Sequence, residues 1–487
     1  MKTTLNIRSV VKLLGQLVVA ESVMMLVPLV ICLVYGEGDW MGFAVASAIA
    51  LAVGCSAVYA TRNHNAVIKT REGFIITALI WVVYGFFGLI PFMLCDSPLS
   101  FTDAMFETIS GFTTTGVSAI TDVDSQSHGI LFWRALTQWI GGLGIILFLL
   151  ALMPELNRSA GISMFNAESS GITHDKLHPR IRQTVLSLWK IYIAVTVVSI
   201  VLLCVGPMNL FDSVCQTFAA IATGGFSTHN DGVSYWHSNY VSSVLIVVMA
   251  VGGINFMVLY AVWKKGFREL FSNDVTKIFF GVVVAAYVLL VVSVLLRGYQ
   301  MNIDNCLFLP LFHVVSAITS TGFTISEAEG WGPFSLFLTI MLMLCGSCAG
   351  STAGGIKIDR VIVMCRNLRN EIKKSVFPKR TYVVALNGSF LQSSLISRVS
   401  AFVTLYIVVV LISTAIITLY GYSFSDSLFM SSSCIGCNGL GYGATGMGGS
   451  YAALPDVVKW ILTLIMIIGR LELFTFMSLF LPSFWKR

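Results

Sequence analysis

Ten apolar runs punctuate the chain, at 13–34, 41–60, 73–94, 135–153, 191–206, 241–263, 278–296, 334–356, 399–420 and 457–469. Most approach the roughly 20 residues that a helix needs to cross a bilayer core. With 56% hydrophobic and only 11% charged residues, the chain lies far outside the range of water-soluble domains. It reads as an all-α polytopic membrane protein. No small-residue cleavage site follows the first run and further spans do, so that run reads as a span, not a removable leader.

The basic residues predict orientation. Lys2, Arg8 and Lys12 precede the first run; Arg62, Lys69 and Arg71 follow the second; later clusters occupy 158–190, 264–277 and 357–398, and the chain ends Lys486-Arg487. Only Arg134, Arg297, Lys459 and Arg470 of the 30 Lys and Arg fall elsewhere. By the positive-inside rule both termini are expected in the cytoplasm, which requires an even number of crossings. The net charge of +6 is then a topology signal and implies no nucleic-acid partner. The cysteine pairs Cys345/Cys348 and Cys434/Cys437 have no neighbouring His or acid, so no metal site is expected from them.

One eleven-residue segment recurs four times: FETISGFTTTG (106–116), CQTFAAIATGG (215–225), FHVVSAITSTG (312–322) and a divergent FMSSSCIGCNG (429–439). SFTD, NLFD and SFSD, ending at Asp103, Asp212 and Asp426, precede three of them. A Ser or Asn followed three positions later by an acid is a helix N-cap with an anion in the first turn. The third copy has Pro310 instead, another residue that starts helices. Each segment is expected to be a half-helix too short to span. The order long run, half-helix, Thr/Gly loop, long run, basic loop divides the chain. It gives an N-terminal pair of transmembrane helices (1–71) and four tandem repeats at 72–182, 183–275, 276–394 and 395–487, with ten crossings in all.

Non-helical backbone at membrane depth is tolerated only inside protein or along a water-filled path. Four such loops in one chain can surround one central pore, with the partly negative C-terminal ends of the half-helices favouring a cation. Glycine permits the backbone angles that direct carbonyl oxygens at an axis, and rings of carbonyls replace the hydration shell of potassium. One TTTGV would mean little. Four aligned copies, each behind a half-helix, constitute a strong signal.

The stretch LCGSCAGSTAGGIK (344–357) interrupts what should be a long helix, because Gly346, Gly350, Gly354 and Gly355, with Ser351 and Thr352 among them, cannot make a stable helix interior. It lacks the Gly-Lys-Ser/Thr of a phosphate-binding loop; a tight helix-packing site stays an open alternative. Arg470 sits in the last run and calls for a partner or an aqueous cavity. Glu472, two residues on, does not share its helix face.

With these motifs the chain closely resembles the Trk/Ktr/HKT superfamily of potassium transporters, in particular the bacterial Trk-type uptake subunits. WIGGLGI (139–145), GSCAGSTAGGIKIDR (346–360) and GRLELFTF (469–476) carry the likeness, which covers essentially the whole chain. The resemblance implies four membrane helix–pore loop–membrane helix units around one pore, plus two added N-terminal helices, in the bacterial inner membrane. It implies potassium as the transported ion and no covalent cofactor. As partners it implies membrane lipid, a second copy in a homodimer, and a cytosolic nucleotide-binding regulatory ring of the RCK-type Trk subunit, with 366–380 a candidate dock. It places a selectivity filter at Thr114, Thr115 and Gly116; Thr223, Gly224 and Gly225; Ser320, Thr321 and Gly322; and Cys437, Asn438 and Gly439. The fourth loop departs from the Asn-rich pattern expected before its glycine. Serine at the first filter glycine goes with sodium in the superfamily, so Gly116 implies potassium. The glycine-rich loop and Arg470 would form the gate below the filter. Symport and channel-like conduction both fit these residues. Alternating access is disfavoured because the four units share one orientation. An intramembrane enzyme is disfavoured by the lack of a nucleophile–base set or a His-Glu-x-x-His.

Overall fold

In the computed structural model, residues 5–63, 70–144, 181–297, 303–325, 328–446, 450–471 and 473–485 are described. Apart from a two-residue hairpin pairing 385–386 with 389–390, regular structure among them is helical. Two helical segments, Ile7–Met24 and Leu26–Tyr35, form a 29-residue first span that ends on Gly36 in the left-handed conformation. Trp40–Ala60 packs back along it. Gly15 and Gly54 allow that approach: a Cβ on Gly54 would lie 2.9 Å from the Gly15 carbonyl oxygen.

The same order of elements then runs four times. Arg71–Leu94, Ile181–Val205, Asp274–Leu296 and Ser393–Thr418 each lead into a short helix: Phe101–Phe112, Leu210–Ile221, Ile303–Ile318 and Phe424–Ile435. A loop follows each, and then a second helix begins, at His128, Asn239, Pro333 or Asp456. The four loops are called loops 1 to 4 below.

Among the described residues, six helices are long and apolar enough to cross a membrane, and a bent pair makes seven. Their outward faces explain why an apolar solvent is needed. Asp274–Leu296 is strongly apolar, yet only 28% of its most apolar stretch is buried. Polar residues, by contrast, crowd the interior around the loops, where Thr113, Thr114, Thr115, Thr223, Ser320, Thr321 and Asn438 are all fully buried.

Two sequence expectations need correction. Pro310 does not open the third short helix; it lies inside Ile303–Ile318, which starts a full two turns earlier. The run 241–263 is not one straight span. Asn239–Gly253 and Phe256–Lys265 meet at 104°, because two glycines end the first helix and the Asn255 side chain caps the second, accepting from Met257 N at 2.7 Å. Within the first run, the acid Glu21 is fully buried. Of the ten expected crossings, the runs at 334–356 and 457–469 contain helices of 13 and 15 residues. The run 135–153 passes beyond the described residues after 144, as do most of the basic cluster 158–190 and Glu472.

Candidate ion pathway

Each short helix is fixed at both ends by local chemistry. At the start, Ser100, Asn209 and Ser423 accept from the backbone N–H of Asp103, Asp212 and Asp426, as the sequence predicts. At the end, all four close in the same way. The N–H groups of Thr114, Thr223, Ser320 and Cys437 donate three residues back, to Gly111, Ala220, Ala317 and Cys434. Those of Thr115, Gly224, Thr321 and Asn438 donate five back, to Ser110, Ala219, Ser316 and Ser433. This is the Schellman turn, which places one residue in the left-handed region, usually glycine. Here that residue is Thr114 (φ 58°), Thr223 (φ 53°), Ser320 (φ 55°) and Cys437 (φ 50°). β-Branched residues seldom take this conformation, and such strain collects at functional sites.

Two residues later stand Gly116, Gly225, Gly322 and Gly439, with φ between 79° and 84°. Their surroundings form a closed cycle. A Cβ on Gly116 would collide with the Gly224 carbonyl oxygen, one on Gly225 with that of Thr321, one on Gly322 with that of Asn438, and one on Gly439 with that of Thr115. Loop 1 thus abuts loop 2, 2 abuts 3, 3 abuts 4, and 4 returns to 1. Eight of the twelve residues named from the sequence make these contacts, and Thr114, Thr223, Ser320 and Cys437 are the left-handed residues just before them.

The loops are braced from behind. Thr113 and Thr115 hydroxyls lie 2.8 Å apart, as do those of Thr319 and Thr321. Ser110, Ser316 and Ser433 donate to the carbonyls of Val117, Phe323 and Leu440. In loop 4 the Asn438 side chain donates to Ala317 O at 2.6 Å. Loop 2 is held instead by Gln138, which donates to Gly224 O at 2.7 Å and accepts from Phe226 N at 3.2 Å. Thr114 Oγ1, Ser320 Oγ and Asn438 Oδ1 are buried with no hydrogen-bond partner among the described residues.

Charges tie loops 1, 2 and 4 together. Glu107, buried in the first short helix, pairs with Arg134 at 2.7 Å and accepts from Ala119 N at 2.8 Å. Arg134 also donates to Ser227 O beyond loop 2 and stacks on Phe226. His313, the counterpart of Glu107 in the third short helix, lies 2.9 Å from Thr339 Oγ1. Lys459 reaches Asp103 at 2.5 Å. Beyond the loops, Asn230 donates to Asp122 at 2.8 Å and His229 Nδ1 lies 2.7 Å from Asp124. Hydrogen bonds from Asn230 and Ser125 hold the exposed Asp122 carboxyl below its usual range. Gln138, Glu107, Arg134 and Lys459 are absent from the expected filter. Unusual placement is the one sequence signal of the two cations, which stand apart from every basic cluster.

The glycine-rich loop lies directly against loops 2 and 4. Pro333–Cys345 ends at Gly346, and the next helix starts at Ile358; Gly346, Gly350 and Gly355 all have positive φ. Gly354 packs on loop 4, where a Cβ would lie 3.0 Å from that of Cys437. Ser351 donates to Cys348 O at 2.6 Å, bracing the turn from within. Thr352 Oγ1 donates at 3.0 Å to both Ile221 O and Gly252 O, and accepts from Thr223 Oγ1 at 3.3 Å. The helix break at Gly252–Gly253 has freed carbonyls, and this loop supplies their donors, Thr352 N and Cys348 N. Arg470 completes the assembly. It donates to Thr352 O at 2.9 Å, to Gly142 O at 2.8 Å and to Gly141 O, joining the loop to the C-terminal end of His128–Gly142.

Comparison with known proteins finds relatives in both sequence and fold. Residues 40–487 match the family described as TrkH, cation transport protein. The chain is 33% identical to the Trk system potassium uptake protein TrkH of Escherichia coli K12, across 99% of this chain and 100% of that one. It is 31% identical to the protein of the same name from Vibrio parahaemolyticus, over 99% and 100% of the two chains. The crystal structure of the potassium transporter TrkH from Vibrio parahaemolyticus superposes with a TM-score of 0.89 at 28% identity, covering 99% of this chain and 100% of that one.

Proposed function

Because the chain belongs to the TrkH family of cation transport proteins, we propose that it takes up potassium through one pore enclosed by loops 1 to 4. Membership makes it a transporter and not an enzyme, and a multi-pass protein of the inner membrane. In this reading both termini are cytoplasmic and ions move inward, in single file, down their electrochemical gradient.

The observation that carries the reading is the closed cycle of four glycines against four carbonyls. Such a cycle offers a dehydrated cation a ring of oxygens in place of its water shell. The unpartnered oxygens of Thr114, Ser320 and Asn438 are further ligands for an ion or its water. Four short helices end at the cycle, so their partly negative C-termini favour a positive charge there. Potassium is the ion because the curated relatives are potassium uptake proteins and because Gly116 puts no side chain at its own position in the first loop.

The segment 346–357 and Arg470 act as the gate. The loop lies beneath Thr223 and Cys437, and the guanidinium holds it there while opposing a cation at the same level. The protein works as a homodimer with a cytosolic nucleotide-binding ring docked at 366–380. In that segment Leu368, Ile372 and Val376 are exposed at one-turn intervals among basic residues. The test is potassium and sodium flux in reconstituted vesicles, for the native protein and Gly116→Ser. Potassium should pass preferentially in the native protein and lose that preference in the variant. Equal selectivity and rate in both would remove the filter assignment.

A further inference from the structure

Loop 2 is held differently from the other three. In loops 1, 3 and 4, a serine six residues before the glycine donates to the carbonyl just after it, at 2.6 Å, 2.8 Å and 2.8 Å. The corresponding residue before Gly225 is Ala219, which has no hydroxyl to give. Gln138 stands in from another element. It lies on His128–Gly142, the helix after loop 1, and its fully buried carboxamide spans the glycine of loop 2. Nε2 donates to Gly224 O on one side, and Oε1 accepts from Phe226 N on the other. The two bonds fix the amide's orientation, since a flip would oppose two donors and two acceptors.

Gly224 belongs to the same arrangement. The other loops carry Thr115, Thr321 and Asn438 at its position, whereas a Cβ on Gly224 would lie 2.5 Å to 2.8 Å from the Gln138 carboxamide. Ala219, Gly224 and Gln138 are therefore one matched set of departures. The Gly224 carbonyl is also the oxygen that Gly116 packs against, so whatever positions it positions the seam between loops 1 and 2.

The geometry points to Gln138 as a positioning residue that sets ion specificity. It holds one oxygen of the ring by a hydrogen bond that, among the described residues, the side chains give to none of the equivalent oxygens of Thr115, Thr321 and Asn438. A donor on one carbonyl draws on its lone pairs and fixes its place. That site becomes the weakest and least adjustable ligand of the four, and a cation that needs a contracted ring cannot pull it inward. This inference rests on the proposed pathway through loops 1 to 4.

The test compares potassium and sodium flux in vesicles holding the native chain, Gln138→Met, and Gln138→Met with Ala219→Ser. Methionine keeps the volume and removes both hydrogen bonds. The potassium-to-sodium ratio should fall about tenfold in the single variant, the scale of one lost buried bond. The added serine would brace loop 2 through the Phe226 carbonyl, as the other loops are braced, and leave the Gly224 carbonyl without its donor, so the ratio should stay low in the double variant. An unchanged ratio in the single variant overturns the inference, and so does a ratio that the serine returns to the native value, which would make Gln138 a brace only. If the single variant does not insert, the double variant decides: a lowered ratio supports the inference, and a native ratio or failed insertion overturns it. Lack of potassium preference in the native protein would instead overturn the pathway itself.

Discussion

Arg470→Ala should raise ion flux, and the size of the effect can be worked from its bonds. Among the described residues, Thr352 O of the glycine-rich loop accepts from the guanidinium, while Gly141 O and Gly142 O hold the arginine to its neighbour helix. Releasing the loop therefore breaks one charge-assisted hydrogen bond, a net contribution of about 2 kcal/mol. Where the closed arrangement dominates, its loss raises the open fraction roughly 30-fold, at about 1.4 kcal/mol per factor of ten. Lysine cannot bond the loop and the helix end together with one compact ammonium, so Arg470→Lys should fall between. Rubidium uptake by vesicles at matched protein density reads the difference. Flux that is unchanged or abolished in correctly inserted Arg470→Ala protein would refute this reasoning.

Thr352→Val removes the hydroxyl bonds to Ile221 O and Gly252 O. It should raise flux by itself, yet add less than its full effect to Arg470→Ala, since both act on one loop; simple additivity in the same uptake assay would contradict this. Gly354→Ala puts a methyl against loop 4, so the loop should be pushed aside and basal uptake should increase severalfold; native uptake would mean that the close approach does not matter. Arg134→Met strands the buried Glu107 carboxylate and should destabilise the protein by about 3–5 kcal/mol. The midpoint of thermal unfolding in detergent should drop, and Glu107→Leu in the same chain should recover part of it. A double variant no more stable than Arg134→Met alone would contradict the pairing.

Much of this architecture is legible because it is written four times. The short helices, their Ser or Asn caps before Asp103, Asp212 and Asp426, and the glycines at 116, 225, 322 and 439 emerge from alignment of the chain with itself. The left-handed residues two places earlier are not legible. Thr114 and Thr223 are poor residues for that conformation, so propensity argues against what the packed cycle imposes. Pro310 misleads because the same residue can open a helix or sit within one. The 104° bend has its signal, Gly252-Gly253-Ile254-Asn255, but hydropathy runs straight through it. Gln138 is invisible for a different reason. Its bond to Gly224 crosses 86 positions between two repeats, and no local pattern on His128–Gly142 marks one glutamine as special.

The most direct measurement of the central claim is anomalous diffraction from crystals soaked in rubidium or thallium, ions that scatter strongly and substitute for potassium. The account predicts density inside the cycle, among the carbonyls of Thr115, Gly224, Thr321 and Asn438 and the four glycines that follow them. Crystals of transport-competent protein with density elsewhere, and none within that cycle, would contradict it.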